Sequence, residues 1–329
     1  MAIGTGSDFV LYDKEFFGGM NEVLQQNTQV FNGASGGAIR LVTQSLRGNF
    51  EKESFLKKIS GGTVTHRDVT STATVTPAKM EQGELVAPKV NRRIGPNSNT
   101  MDQWKKIEED PQMFSFYYGQ QVAEDVAADW LNTVVLAGVT CMETEIGMVY
   151  DATGETDPKL RTEYLVRGLK KMGDKANRVR AWVMHSNTFY DLVESQILDK
   201  VTNVADAVIY GGIPGSLNRP IIVTDSPALV EADGVSTGVD AYKVLGLTDD
   251  ALVATQSEDQ NIMSDTELGR ENIVMTIQGE YAFNTRVKGF SYVSATVNPN
   301  DAALGTAANW DYAMHDVKLG PGVLIKVSA

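Results

Sequence analysis

From Asp110 to Gly138 the apolar residues recur at every third or fourth position. Asp110 can cap a helix with its carboxylate, and Pro111 suits the first helical position. Met113, Phe116, Ala123, Ala127, Trp130, Leu131 and Val134 then form one stripe, and Gln121, Asp125, Asp129 and Asn132 form the opposite one. Gly138 is placed to close the helix. At about 1.5 Å per residue this rod spans roughly 40 Å, long for a globular helix. It stands only with other layers laid along it, so the stretch predicts a spine around which the rest of the chain is arranged.

The 329 residues suffice for one large or two medium domains, and 42% hydrophobic with 22% charged residues is the balance of an ordinary soluble protein. No apolar run approaches the roughly 18 residues of a membrane span, and Met1–Phe9 lacks the basic-then-apolar pattern of a signal peptide. Synthesis and folding in a cytoplasm are expected. Cys141 is the single cysteine, which excludes an intrachain disulfide and a cysteine-based zinc site. A net charge of −13 argues against general nucleic-acid binding, which needs a basic surface. The charge is uneven, however. Arg47 to Arg93 holds nine basic and five acidic residues, whereas the remainder holds 20 basic and 37 acidic. A basic arm on an acidic body could dock on a neighbouring copy of the chain, or it could be a solvated hairpin with incidental lysines.

Residues 1–46 are rich in glycine, with a short amphipathic helix expected from about Asp13 to Gln26 and flexible arms at Gly4–Gly6 and Gly33–Gly37. Residues 47–58 read as a second short helix presenting Phe50, Phe55 and Leu56. From Ser60 to Thr100 there is no Phe, Tyr or Trp. Val69, Ser71, Ala73 and Val75 alternate there with Thr70, Thr72, Thr74 and Thr76, a period-two strand. Pro77–Gly83 supplies a turn and Glu84–Val90 a return strand, interrupted by Pro88 as an edge strand can be. Such a hairpin has little to bury and is marginal alone, so it is either disordered or held from outside.

Beyond the spine, Met142–Asp157 reads as a polar connector, and Leu160–Met172 as an amphipathic helix ended by Gly173. Val179–Met184 reads as a strand leading into a helix capped by Ser186 or Asn187, and Pro220–Thr224 as a buried strand. Further strands are expected around Lys243–Leu247, at Asn272–Thr285 paired as a hairpin with Val287–Val297, and at Gly322–Val327. Helices and strands mix without regular βαβ repetition, so the class is α+β.

No motif carries chemistry well. Gly33-Ala34-Ser35-Gly36-Gly37 matches a hydrolase nucleophile elbow, but the polar stretch before it is not the buried strand that motif needs. His185 beside Ser186 could be a hydrolase base, although a helix-capping junction explains it better. Asp259–Asp265 begins like a calcium loop and then places Met263 and Ser264 where ligand and glycine belong. No nucleotide-binding glycine motif occurs. No catalytic residue, cofactor or metal is therefore assigned.

The order of elements, with Arg180–Ser186 followed by Tyr190 and Leu192, and with Gly279–Phe283, Gly289–Val293, Asn298-Pro299, Ala303-Leu304 and Asn309-Trp310, resembles the major capsid protein of tailed bacteriophages, the Hong Kong 97-like fold. The resemblance implies an N-terminal arm at 1–46 and an extended β-hairpin loop at 47–100 that reaches over an adjacent subunit. A peripheral domain would comprise 101–150, with the spine, and 261–312. An axial domain would comprise 151–260, with or without 313–329. It implies a structural protein and not an enzyme, assembling through pentamers and hexamers into an icosahedral shell around double-stranded DNA held without sequence-specific binding. The expected place is the virion, after assembly in the host cytoplasm and without a membrane. Implied partners are further copies of itself, a separate scaffold protein, a portal and a decoration protein. The subunit-interface residues expected are Phe9, Phe16 and Phe17 of the arm and Lys57, Lys58, Arg67, Lys79, Lys89, Arg92 and Arg93 of the loop. Reversing Arg92 and Arg93 is then expected to impair assembly in a folded monomer. The alternatives are an encapsulin-type compartment shell of the same fold, or a hydrolase using Ser35 or His185.

Overall fold

The computed structural model describes residues 20, 24, 29, 31–42, 48–57, 64, 66–77, 79–100, 111–203, 217, 219–236, 238–269 and 271–328. In chain order come β1 (Ile39–Val42), β2 (Phe50–Leu56), β3 (Gln82–Thr100), the spine α1 (Pro111–Thr144), β4 (Val149–Asp151), α2 (Thr162–Met172), β5 (Val179–Met184) and α3 (Ser186–Asn203). They are followed by β6 (Ile221–Val223), β7 (Val230–Ser236), β8 (Val239–Thr248), β9 (Leu252–Glu267), β10 (Val274–Val287), β11 (Phe290–Tyr292), α4 (Asp301–Leu304), β12 (Trp310–Tyr312) and β13 (Gly322–Ser328).

The spine runs 34 residues, about 51 Å, and passes Gly138 to end at Thr144. Gly138 is therefore a packing position and not a stop. A Cβ there would lie 2.7 Å from Leu252 Cδ2, so the missing side chain lets the helix approach β9. Along its first half α1 is one-sided: Val122, Ala123, Val126 and Trp130 are buried, while Gln121, Glu124 and Asp125 are exposed. From Thr133 to Met142 every residue except Leu136 is buried, so the second half is enclosed on all sides.

Two sheets flank it. One has the order β1-β9-β10-β3-β2 and is dominated by three long antiparallel strands. β9 and β10 pair from Leu252 opposite Val287 out to Glu267 opposite Val274, and β3 joins β10 from Lys89 opposite Asn284 to Thr100 opposite Val274. Alternation places Met275, Ile277, Tyr281 and Phe283 of β10 on one face, where they share a core with Val122, Val126, Trp130 and Val134 of the spine. The Trp130 and Phe283 rings lie 6.0 Å apart. The other sheet has the order β4-β13-β8-β5-β6, with β7 also on β8. Its own core holds Trp182, Leu165, Leu169, Met172, Val323 and Ile325. α2 comes close to β13 because Gly168 leaves room for Ile325, whose Cδ1 would be 2.6 Å from a Cβ at that position. At the centre of this sheet Trp182, Gly246 and Val323 lie side by side on adjacent strands. A short pair, β11 with β12, sets Phe290 at a tilt against Tyr312 and Tyr292 edge-on to Trp310.

The α+β class holds, but several local expectations change. Residues 50–56 form a strand, because they pair with Gln82–Pro88; the helical spacing of Phe50, Phe55 and Leu56 is overridden. Residues 66–77 form no strand, so the hairpin is β2 with β3 and the Val/Thr alternation belongs to its loop. Pro88 faces β2 at a position beyond the end of the β10 ladder, where no donor is required on that side. The supposed connector 142–157 includes β4, paired in parallel with β13, and buried Met142 and Met148. β6 is half-buried at the sheet edge, not enclosed. β10 pairs with β9 and β3, and the strand after it stops at Tyr292 to pair with β12. The arm at Gly33–Gly37 is a fixed turn with Gly36 and Gly37 at φ of 61° and 77°. The helix expected over 13–26 and the capping by Asp110 lie outside the described residues.

Candidate assembly interface

Between β2 and β3 the chain makes a 25-residue excursion, Lys57 to Glu81. Its described residues are exposed throughout, including Val64, Val69, Val75 and Met80. Asp68 fixes one bend: its carboxylate accepts from the Thr70 backbone N–H at 2.9 Å and the Thr70 hydroxyl at 2.7 Å. Those two bonds hold the Asp68 carboxyl below the usual range. Lys57, Arg67 and Lys79 of the expected interface set are exposed on this loop. Arg93 is exposed on β3, opposite Glu280 of β10. Phe9, Phe16, Phe17 and Lys58 lie outside the described residues.

Lys89 and Arg92 differ from these because their charges are paired inside the subunit. Lys89 is 7% exposed and its ammonium donates to the Glu258 carboxylate across β10. Arg92 lies on the spine-facing side of β3. It donates to Asp129 at 3.2 Å, to the Thr133 hydroxyl at 3.1 Å and to Asp301 at 2.5 Å. The Tyr281 hydroxyl donates to the same Asp129 oxygen at 2.6 Å. Burial, followed by the Asp129 carboxylate, pushes that hydroxyl well above its ordinary pKa, so it remains a donor. One guanidinium thus ties β3 to α1 and α4. Charge reversal at Arg92 therefore does not leave the fold untouched. Arg92→Glu should cost roughly 3 kcal/mol by setting a carboxylate against Asp129 and Asp301, with Asp301 partly screened by solvent. Arg93→Glu, which sets a solvent-exposed carboxylate opposite Glu280, should cost no more than about 1 kcal/mol. Urea denaturation of the two single variants separates them, and equal midpoints would discard this assignment.

A second charge cluster sits where the end of α1 meets the six-stranded sheet. Lys243 Nζ is 2.9 Å from Glu143 and 3.1 Å from Glu231, and Lys326 Nζ is 2.8 Å from Glu143 and 3.6 Å from Glu231. For Glu231 burial alone would raise the pKa, but Lys243 and Lys326 outweigh it and hold the carboxyl below its usual value. Burial would lower that of Lys326, but Glu143 and Glu231 hold it above its usual value. The Glu231 contribution is complete above the ordinary glutamate pKa and is lost as pH falls through the lower, folded value. The Lys326 contribution is complete below the ordinary lysine pKa and is lost as pH rises through the higher, folded value. Glu231→Gln should therefore flatten the loss of stability in acid, as read by thermal melting below about pH 5, and unchanged acid sensitivity would discard that role.

The residues of the hydrolase alternative are structural. The Ser35 side chain is fully buried and its hydroxyl donates to the carbonyls of Ile39, at 3.0 Å, and Asn32, at 3.1 Å. It closes a turn and cannot reach a substrate. His185 Nδ1 accepts from the Asn187 backbone N–H at 3.2 Å, capping the start of α3, while its ring rests edge-on against Tyr242. Among the described residues no group of three or more His, Cys, Asp and Glu could hold a metal, and no helix is long and apolar enough to cross a membrane.

The arrangement is that of a tile with a long, exposed, basic loop and, among the described residues, no converging catalytic set. A family model described as major capsid protein 13-like matches residues 8–324. No curated protein sequence matches the chain. Among solved structures, the capsid of Ralstonia phage GP4 is similar over 90% of this chain and 88% of its own, at 11% identity and a TM-score of 0.50. The capsid of Helicobacter pylori bacteriophage KHP30 is similar over 89% and 88%, at 9% identity and 0.50. A chain of Mycobacterium phage Cain is similar over 89% of each, at 9% identity and 0.51. These likenesses establish the Hong Kong 97-like fold, and nothing in them supports the encapsulin or hydrolase alternatives. The chain belongs to the major capsid protein 13-like family and is a structural protein of the bacteriophage virion, where its copies associate into the capsid shell.

Proposed function

We propose that this protein builds an icosahedral shell through pentamers and hexamers, around double-stranded DNA that it does not bind by sequence. The observation that carries this reading is the 25-residue loop, which projects basic and apolar side chains from a subunit whose own core gives them nothing to cover. In an acidic chain of net charge −13, that loop is complementary to the body of another copy. Lys57, Lys58, Arg67, Lys79 and Arg93, with Phe9, Phe16 and Phe17 of the arm, are the contacts proposed between subunits. Lys89 and Arg92 act there mainly by fixing the base of the loop.

The peripheral part in this reading is the spine with the five-stranded sheet, and the axial part is the six-stranded sheet with α2 and α3. Strand membership supports moving the boundary to Asp249–Ala251, where β8 of one sheet hands over to β9 of the other, and assigning Gly322–Ser328 to the axial part. A separate scaffold protein, a portal and a decoration protein complete the assembly, which takes place in the host cytoplasm. The chain needs no cofactor and performs no catalysis. Negative-stain microscopy of protein produced with its scaffold tests the reading: closed shells of uniform size are expected, whereas tubes, trimers or dispersed monomers under all assembly conditions would overturn it.

A further inference from the structure

The loop holds a contradiction that points to its partner. Val69–Thr76 alternates without a break, and six of its eight residues are β-branched Val or Thr with strong strand preference, yet among the described residues it pairs with no strand of its own subunit. The five-stranded sheet meanwhile has an incomplete edge. Among the described residues β1 covers β9 only from Leu252 to Thr255, leaving the outer side of Asn261–Thr266 without a paired strand. The edge is also exposed there: Met263 is 69% exposed, and Asn261, Ser264, Asp265 and Thr266 are exposed, Ile262 alone being buried in the core. A long uncovered edge is a template for strand addition.

The loop cannot reach that edge within one subunit. It leaves the sheet at Leu56 and Gln82, at the end beyond Asn284 and Lys89. The bare stretch of β9 lies at the other end and on the other side, with β10 and β3 between. Out and back, 25 residues extend at most about 40 Å from the body, enough to touch a neighbour. Charge selects the match. Residues 258–267 contain acids and no lysine or arginine, whereas Arg67 and Lys79 flank the alternating segment. The acids that discourage two such edges from pairing with each other would attract this strand.

We propose that Val69–Thr76 of one subunit adds as a strand to the open edge of β9, over Asn261–Thr266, in a second copy of the chain. Arg67 and Lys79 then lie against the acidic edge, and Val69, Ser71, Ala73 and Val75 share one face of the added strand, where Val75, next to Ala73 on that face, can cover Met263. This rests on the shell reading, and it names both the surface and the mode of contact.

The test combines proline substitution with cross-linking. Thr72→Pro and Thr74→Pro alter residues that form no strand in the subunit, so monomer melting should be unchanged while shell yield drops by about tenfold or more. Thr72→Val should assemble normally. Ala73→Cys with Met263→Cys should give disulfide-linked oligomers in assembled shells only; Cys141 is buried and does not interfere. Amide hydrogens of 69–76 should become protected on assembly. Normal shells from both proline variants, or shells with neither cross-link nor protection, would overturn the strand addition and leave the shell reading intact. Failure of the unaltered protein and its scaffold to form shells would overturn the shell reading itself.

Discussion

Gly322→Ala should abolish the soluble subunit. At Gly322 φ is 150°, a conformation that L side chains rarely adopt, and a Cβ would stand 1.9 Å from the Gly246 carbonyl oxygen. The obstacle is backbone, so no rotamer relieves it. β13 and β8 must separate where Gly322 pairs with Leu247, at the start of a seven-residue ladder. Gly246 cannot yield either, because the Trp182 ring and Val323 fill the space where its own Cβ would go. Clash and backbone strain together should cost at least about 4 kcal/mol, a large share of the stability of a typical domain. Gly154→Ala is the control: nothing lies within 4 Å of its Cβ position, and the change should stay within about 0.5 kcal/mol. Soluble yield and urea midpoint decide the matter, and a Gly322→Ala protein matching the control would refute this account of the sheet.

Trp130→Ala should remove about 3–5 kcal/mol. The ring is 1% exposed and wedged between the spine and the long strands, where it meets Phe283. Among the described residues its indole N–H has no hydrogen-bond partner, so the loss is one of packing and cavity. Trp130→Phe, which keeps most of the volume, should recover more than half of that loss. A small effect from the alanine variant would mean that the spine is held mainly by its enclosed second half. Both variants can be read as purified subunits, before any assembly.

The spine, α2 and β5 were legible because periodicity is local, and Gly173 ends α2 where its position suggests. What misled was local signal overruled from a distance. Phe50, Phe55 and Leu56 sit at helical spacing, but Gln82–Pro88 supplies a strand to pair with them. Gly138 looks like a helix end, yet it answers to Leu252, more than a hundred residues later. β9 was missed because its outer half, from Ser257 to Glu267, is almost wholly polar, and its register comes from β10 and not from its own pattern. The loop residues of the expected interface set rest on charge, and charge alone cannot separate an exposed Arg93 from an Arg92 already committed to Asp301, 209 positions away. The partners that set them apart could not have been read from sequence, since no spacing links Asp129, Tyr281 and Asp301.

The two halves of the spine have unequal mechanical roles. Among the described residues the rear half, from Thr133 to Met142, is buried on all sides but Leu136, while the front half is buried along one stripe only. The helix is thus a cantilever, clamped at its root and supported from one side toward its tip. A structure tiled from identical pieces must seat them at more than one angle, and elastic compliance concentrates where the clamping is weakest. The front of the helix, with the far ends of β3 and β10 beside it, where Asn97 donates to the Tyr118 hydroxyl at 2.9 Å, is the compliant part, and the enclosed rear with the six-stranded sheet is the rigid mount.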